Sequence, residues 1–299
     1  MLDRILMIMI GALEEGLVYA IMALGVYITY KILDFPDLSV DGTFPLGAAV
    51  TAIAISKGVP PVLTLLFSFF IGAVAGMLTG IIHVKFKIRD LLAGIIMMTA
   101  LYSVNLRITG GKANVPIFMK ENIFNNTFLN GMPEVVSPFL VSAVLFVIVV
   151  IMKLLLDLYL ETKSGYLLRA VGDNPTVVTS LAKDKGVTKI IGLAIANAFV
   201  ALSGCVYAQK SGYFDIYTGT GTTVMGLASV IIGINLFKRL SFFKATTAVI
   251  VGSIVYKICV AIAINFGLET SDLKLITAVL FFAILVASNE RKRRAKSNA

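Results

Sequence analysis

The chain alternates between long apolar runs and short polar connections, and this pattern constrains its fold more than any other feature. A helix needs about 20 apolar residues to cross a bilayer. With 58% hydrophobic and 14% charged residues, the chain carries more apolar surface than a soluble fold of 299 residues can bury. We therefore expect an all-α, polytopic membrane bundle with about nine transmembrane segments, forming one transmembrane domain over residues 1–299. The runs cover roughly 12–33, 40–57, 61–83, 91–108, 136–156, 189–208, 220–236, 245–266 and 272–288.

Much of the basic charge lies in the connections that follow odd-numbered runs, and the net charge is +9. Cytoplasmic loops carry the excess of Lys and Arg in membrane proteins, so the sequence predicts an external N-terminus and a cytoplasmic C-terminus. The basic tail at 290–299 is expected to contact the lipids of the inner leaflet. Nucleic-acid binding is not expected, because no basic face interleaved with exposed aromatics is visible. The loop cations are Lys85, Lys87, Arg89, Lys163, Arg169, Lys183, Lys185, Lys238, Arg239 and Lys244.

Small residues follow a helical spacing in the third run. Gly72, Gly76 and Gly80 recur every four residues and therefore share one face of the predicted helix. Such a strip permits close approach of a neighbouring helix. The sequence predicts tight helix packing along this face.

Two stretches of the chain resemble one another. Residues 16–50 and 192–229 each combine a span rich in small residues, a turn with an aromatic and an Asp, and a Gly/Thr segment that opens the next span. The first copy is expected to enter the membrane from outside and the second from inside. The pattern favours an inverted-topology repeat, the arrangement of many transporters.

The turns of the two copies, at 34–44 and 212–224, contain the candidate pathway residues. Each turn precedes a helix start, where unpaired N–H groups and a partial positive charge can hold a carboxylate. Broken helices of this kind line the central path of inverted-repeat transporters. Capping of helices is the favoured role of Asp37, Asp41 and Thr223, and lining of the pathway stays open, since one residue can do both. The candidates are Phe35, Asp37, Asp41, Thr43, Phe44, Tyr213, Asp215, Thr218, Thr222 and Thr223.

Enzymatic and metal-binding signatures are absent from the sequence. His83 is the only histidine, and Cys205 and Cys259 lie inside apolar runs without metal-ligand spacing. No phosphate-binding loop is present, so we expect no catalytic residue, cofactor or metal in this chain. Glu14 and Glu15 are expected at the membrane interface. Because mid-span positions are nearly all apolar, an ion-driven transporter is disfavoured.

One long polar segment, 157–189, interrupts the apolar runs. Its Gly and Pro positions predict a short helix, a turn at Asp173, Asn174 and Pro175, and a second short helix up to Ala182. An ordered polar loop between lipid-soluble helices is typical of a docking element. The cations Arg169, Lys183 and Lys185 are expected to pair with a protein partner or with anionic lipid.

This segment resembles the coupling loop of permease subunits in the branched-chain amino acid class of ABC importers. The opening span at 16–33 and the turn after it also resemble the family, and the likeness covers nearly the whole chain. Where many branched-chain permeases have an Asn-Phe-Ala-His-Gly type of turn, this chain has FPDLSVDGTF at 35–44, as in a subgroup associated with aromatic amino acids. The loop residues that match are Thr162, Gly165, Arg169, Ala170, Asn174, Pro175, Ala182 and Gly186.

The resemblance implies a transport subunit in the bacterial cytoplasmic membrane that imports a small solute. An aromatic or branched-chain amino acid is the first expectation, and a sugar or nucleoside the alternative. It also implies two ATPase subunits that bind ATP and Mg, an extracytoplasmic substrate-binding protein, and a second permease copy. In this chain it implies no cofactor; coupling would fall to the matching loop residues and Asp173.

Overall fold

The computed structural model describes residues 2–126, 137–180, 184–238, 243–265, 275–279, 281–283 and 285–286. Helices dominate, joined by two three-residue strands, so the all-α expectation holds apart from this small sheet. The elements are α1 (Leu2–Tyr27), a π-helical turn (Ile28–Ile32), α2 (Val40–Ser56), α3 (Pro61–Lys85), α4 (Asp90–Ile108), β1 (Asn114–Pro116), α5 (Ser137–Leu160), α6 (Lys163–Asp173), α7 (Pro175–Ser180), α8 (Lys185–Ser211), β2 (Tyr213–Asp215), a 3₁₀ turn (Ile216–Gly219), α9 (Thr222–Phe237) and α10 (Ala245–Asn265).

Among these elements, seven helical segments are long and apolar enough to cross a membrane, and α2 is a shorter apolar helix. Together they account for eight of the nine predicted runs. The ninth run, 272–288, is described only in part, and its described residues are helical. The first helix starts at Leu2, well before the predicted start at residue 12.

The centre of the bundle is formed by α2 and α8, which pack against each other. Among the seven long helices of the described residues, α8 is the most buried and α5 the least. Apolar side chains of α5 such as Phe146, Leu155 and Leu158 are exposed, as expected for a helix that contacts lipid.

The predicted glycine strip of α3 is confirmed, and its partner is α8. A Cβ on Gly76 would meet the carbonyl oxygen of Leu193, and one on Gly80 would lie 2.8 Å from the Cα of Ile190. Gly72 faces Asn197 in the same way. The two backbones are in contact, so no larger residue fits at these positions without moving a helix.

Helix contacts repeat between the two halves of the bundle. Packing of α3 on α8 is matched by α10 on α1, packing of α2 on α3 by α9 on α10, and packing of α2 on α8 by α9 on α1. The contact of α1 with α8 completes the set. Exchanging α1 with α8, α2 with α9 and α3 with α10 therefore leaves this pattern of contacts unchanged.

The two strands pair at one end of the bundle, which we call the strand end. β1 and β2 are antiparallel, with Val115 opposite Phe214, and the Phe214 side chain is buried. Of the connection 109–135, the described residues 109–126 contain β1 and no helix; positions 127–135 lie outside the described residues. The opposite end carries α6 and α7 and is called the loop end.

Candidate functional site

The carboxylate of Asp41 joins the two repeated turns. It lies in the first turn of α2 and accepts hydrogen bonds from the start of α9: from Gly221 N to Oδ2 (3.0 Å), and from Thr222 Oγ1 (3.0 Å), Thr223 N (2.7 Å) and Thr223 Oγ1 (2.6 Å) to Oδ1. Asp41 is therefore a helix cap, but of α9 rather than of its own helix. One negative charge lies between two helix N-termini, both of which carry partial positive charge.

A second buried network links the first turn to the middle of α8. Asp37 is 3% exposed and accepts hydrogen bonds from Ser39 N and from Asn197 Nδ2, both at 2.8 Å. The Ser39 hydroxyl donates to Asn197 Oδ1 at 3.2 Å. The sequence reading missed Asn197, although an amide inside the apolar run 189–208 was a visible signal.

The ten candidate pathway residues do not form one cluster. Phe35 packs edge-on against His83, with ring centroids 5.1 Å apart. Phe44 stacks on Tyr19 at 5.7 Å with an interplanar angle of 4°. The remaining four have local roles: Thr43 donates to Ser39 O, Tyr213 lies in β2, Asp215 accepts from Tyr217 N, and Thr218 donates to Asp215 O.

A cavity of about 400 Å³ lies between α1, α8, α9, α10 and the 3₁₀ turn, near the strand end. We call it the tyrosine cavity, because four tyrosines line it. Of the candidate pathway residues, only Thr218 contributes to its lining. The lining residues are Glu15, Tyr19, Tyr207, Tyr217, Thr218, Thr220, Gly221, Val224, Met225, Tyr256, Lys257, Val260, Thr277 and Ala278.

An ion pair lies in the wall of the tyrosine cavity. Lys257 Nζ donates to Glu15 Oε2 at 3.0 Å and lies 4.0 Å from the ring centroid of Tyr19. A second pair, Lys210 with Glu14 at 3.2 Å, lies beside it outside the lining.

These pairs bear on two expectations. The glutamates, expected at the membrane interface, lie within the candidate span Leu6–Ile32, and each is paired with a lysine. The spans are also less uniformly apolar than expected, since Lys257 lies in the middle of α10. A charge inside an apolar run is itself a functional signal, so the position of Lys257 in the sequence could have predicted a functional residue.

A second cavity, of about 390 Å³, lies between α2, α4 and the 3₁₀ turn. Asp41 and Asn105 line it, and Tyr217 and Thr220 line both cavities. The 3₁₀ turn and the residues after it therefore separate two open volumes.

The polar segment at the loop end has the predicted helix, turn and helix. Thr162 Oγ1 accepts from Gly165 N (3.2 Å) and caps α6, whereas Asn174 Oδ1 accepts from Thr176 N (3.1 Å) and opens α7. Asp184 caps α8 through Gly186 N at 2.7 Å. Ala182 lies outside the described residues.

The first of these short helices is wedged into the bundle. A Cβ on Gly172 would meet the carbonyl oxygen of Ile32 in the π-helical turn, and Leu168 is fully buried beside Gly192 of α8. Gly165 likewise lies against the backbone of Tyr159. α6 is therefore in direct contact with the π-helical turn that follows α1 and with α8.

Charged residues surround the base of this loop. Asp157 accepts hydrogen bonds from Lys153 (2.7 Å) and Thr246 (2.7 Å). Lys244 donates to Glu161 at 3.1 Å, and that hydrogen bond, together with the charge of Asp157, raises the pKa of Lys244. The loop is tied to the start of α10 by these contacts.

A family model described as "Branched-chain amino acid transport system / permease component" matches residues 8–288. The chain belongs to this permease family.

Relatives of this permease are consistent with a transport role. It is 47% identical over 290 residues to a tyrosine transport system permease protein of Clostridioides difficile (strain R20291), covering 97% of this chain and 94% of the relative. It is 33% identical over 282 residues, 93% and 96% of the two chains, to an uncharacterised protein of Rickettsia prowazekii (strain Madrid E).

A more distant relative is the autoinducer 2 import system permease protein LsrC of Enterobacter sp. (strain 638), 29% identical over 199 residues, 66% of this chain and 55% of the relative. No solved structure matches. The permease is thus a multi-pass subunit of an ABC-type importer in the cytoplasmic membrane, with a transport role rather than an enzymatic one.

Proposed function

We propose that this permease imports an aromatic amino acid, driven by ATP that partner subunits bind with Mg and hydrolyse. The observation that carries the mechanism is the pair α6–α7, in which both helices are capped and α6 is wedged against the π-helical turn after α1 and against α8. A passive connecting loop would need neither feature. The solute is inferred from the relative named as a tyrosine transport permease.

The proposed topology has nine spans in one domain over residues 1–299, with the strand end outside and the loop end cytoplasmic. The coupling segment 157–189 and the basic tail 290–299 then lie on the same side of the membrane. The positive-inside rule supports this orientation. The exchange of contacts between α1–α3 and α8–α10 supports an inverted repeat.

In this proposal the pathway follows the two repeated turns, and Asp41 acts as a latch between the two halves. Its four hydrogen bonds join the start of α2 to the start of α9. Alternating access by rocking of the halves would require these bonds to open or to move as one unit. The other candidates named from the turns would position this latch or line the path.

Coupling would run from the ATPase through α7 and α6 into the bundle. The exposed residues Asp173, Asn174 and Thr176 surround the turn and the start of α7, where a groove on an ATPase could hold them. Thr162, Gly165 and Gly186 would set the shape of the loop, and Arg169 would supply charge. Closure of the ATPase dimer would then move α1 and α8 as levers.

The proposed partners are two ATPase subunits, an extracytoplasmic substrate-binding protein and an identical second permease. Membrane lipid surrounds the assembly. The pairing of two identical permeases is proposed because ABC importers use two membrane subunits and the chain resembles one of them.

The coupling role is tested with Thr176→Trp in the complete transporter reconstituted in vesicles. Thr176 is exposed on α7, so the substitution enlarges the docking surface without filling the core. We expect ATP-driven uptake to fall more than about tenfold. Lys112→Trp, at an exposed site of the strand end, is the matched control and should retain uptake. Wild-type uptake by Thr176→Trp would refute the docking role.

An ion-driven mechanism is the second candidate, because the structure places Glu14, Glu15, Lys210 and Lys257 within candidate spans. Each of these charges is already paired, so none is left to carry an ion unaccompanied. Uptake by this chain alone, in vesicles with an ion gradient and no ATP, would establish this mechanism. A sugar or nucleoside is the alternative solute. Uptake of a labelled sugar or nucleoside that excess tyrosine does not reduce would establish it.

A further inference from the structure

We propose that the tyrosine cavity is a binding site within the permease for a zwitterionic aromatic amino acid. Lys257 would bind the carboxylate of the solute, Glu15 its ammonium group, and the tyrosines its ring. This inference rests on the proposed function and adds the site at which the permease itself contacts the solute.

The volume of the cavity suits a small solute. Pockets for small molecules usually enclose roughly 300–1,000 Å³ and combine apolar walls with a few placed polar groups. The tyrosine cavity, at about 400 Å³, lies at the low end of that range. It has room for one amino acid rather than for a peptide.

The charges of the cavity match a zwitterion. Among the described residues, the lining carries one ammonium group, on Lys257, and one carboxylate, on Glu15, which are 3.0 Å apart. Lysine has three N–H donors and a carboxylate has about four lone-pair sites, so both can hold a second partner while staying paired. A solute with one charge of each sign would leave no charge uncompensated, whereas a cation or an anion would leave one.

The accessibility of this pair differs from that of a purely structural pair. The Glu15 side chain is 53% exposed, whereas that of Lys257 is 10% exposed. In the neighbouring pair both side chains are largely covered, at 13% for Glu14 and 19% for Lys210. A solute entering the cavity can therefore reach Glu15 first and Lys257 next.

The aromatic walls supply a place for a ring. Tyr19 and Tyr207 are tilted against each other with centroids 6.1 Å apart, and Phe44 packs against both rings. Tyr256 is buried, while Tyr217 is exposed and also lines the second cavity. Aromatic pairs with centroids about 4.5–7 Å apart are favourable beyond their buried area, so these walls favour an aromatic solute over an aliphatic one of equal charge.

The site is tested by solute protection of a cysteine placed in the cavity. Thr218→Cys in a Cys259→Ser background leaves Cys205, which is buried, as the only other thiol of the 299-residue chain. The purified permease, without its binding protein, is treated with a maleimide. We expect millimolar phenylalanine to slow modification at least threefold. Phenethylamine, which lacks the carboxylate, and 3-phenylpropionate, which lacks the ammonium group, should not.

Variants separate solute binding from structural support. Lys257→Met and Glu15→Gln should abolish protection, and Lys210→Met, in the adjacent pair, should retain it. The exchange Glu15→Lys with Lys257→Glu restores the ion pair in a reversed orientation and serves also if a single variant does not fold. Loss of protection in Lys210→Met to the same extent as in Lys257→Met would assign these ion pairs a structural role only and overturn the proposal.

The outcomes distinguish this site from the proposed function. If phenylalanine gives no protection while the complete transporter imports tyrosine, the site is refuted and the function stands. If the complete transporter imports no aromatic amino acid, the proposed function fails. Protection by phenylalanine that depends on Lys257 and not on Lys210 supports the site.

Discussion

Asp41→Ala should destabilise the permease by an amount that follows from the hydrogen bonds of the carboxylate. The substitution removes the acceptor for Gly221 N, Thr223 N and the Thr223 hydroxyl. The Thr222 hydroxyl is spared, because it also donates to Gly219 O at 2.9 Å. Three hydrogen bonds at about 1 kcal/mol each give a loss of about 3 kcal/mol, somewhat above the usual cost of deleting a helix cap.

Thermal unfolding in detergent measures this loss. The chain contains no tryptophan, so the buried thiol of Cys205 is the better reporter. A thiol-reactive fluorogenic dye detects its exposure on heating, again with Cys259→Ser to remove the exposed thiol. At about 2 °C per kcal/mol for a chain of this size, we expect the Tm to fall by about 6 °C. Asp41→Asn keeps an acceptor oxygen for Thr223 and should lose about half as much.

The matched control is Asp90→Ala. Asp90 also lies in the first turn of a helix, but within the described part of the chain its carboxylate accepts only from the adjacent Leu91 N at an exposed site, so the Tm should change by about 1 °C. A Tm for Asp41→Ala equal to that of the wild type would refute the latch between the two halves. An equal loss of Tm in Asp41→Ala and Asp90→Ala would also refute it, because the loss would then come from removing the charge of any aspartate in a first helical turn.

Two further substitutions probe helix packing and the buried polar network. Gly76→Ala places a methyl group against the Leu193 carbonyl and should lower the Tm by several degrees. Gly11→Ala is the control, because a methyl group there meets nothing within 4 Å, and it should leave the Tm unchanged. Equal Tm values for the two variants would contradict the close approach of α3 and α8. Asn197→Leu removes a donor to the buried Asp37 carboxylate and should lower the free energy of unfolding by about 3 kcal/mol. The same dye assay measures this loss. An unchanged Tm would show that this amide does not stabilise Asp37.

Features that depend on neighbouring residues in the chain were predictable from the sequence. Apolar length alone located eight of the helices, because a span must satisfy its backbone internally and present apolar side chains to lipid. The helix, turn and helix at the loop end followed from the Gly and Pro positions of the segment, and its caps at Thr162 and Asn174 act within three residues. The spacing of the α3 glycines likewise predicted a contact face, though not the helix that fills it.

Contacts between distant segments were decided only by the tertiary structure. Asp41 was recognised as a cap, but its partner lies 180 residues further along the chain, and the pairing of Glu15 with Lys257 spans 242 residues. Sequence periodicity shows which face of a helix is apolar or small. It does not show which helices meet or at what height, because that depends on the packing of all helices together. The sequence thus determined a lipid-embedded helical bundle with a long polar loop, and the packed fold determined where its paired charges and its tyrosines form a cavity.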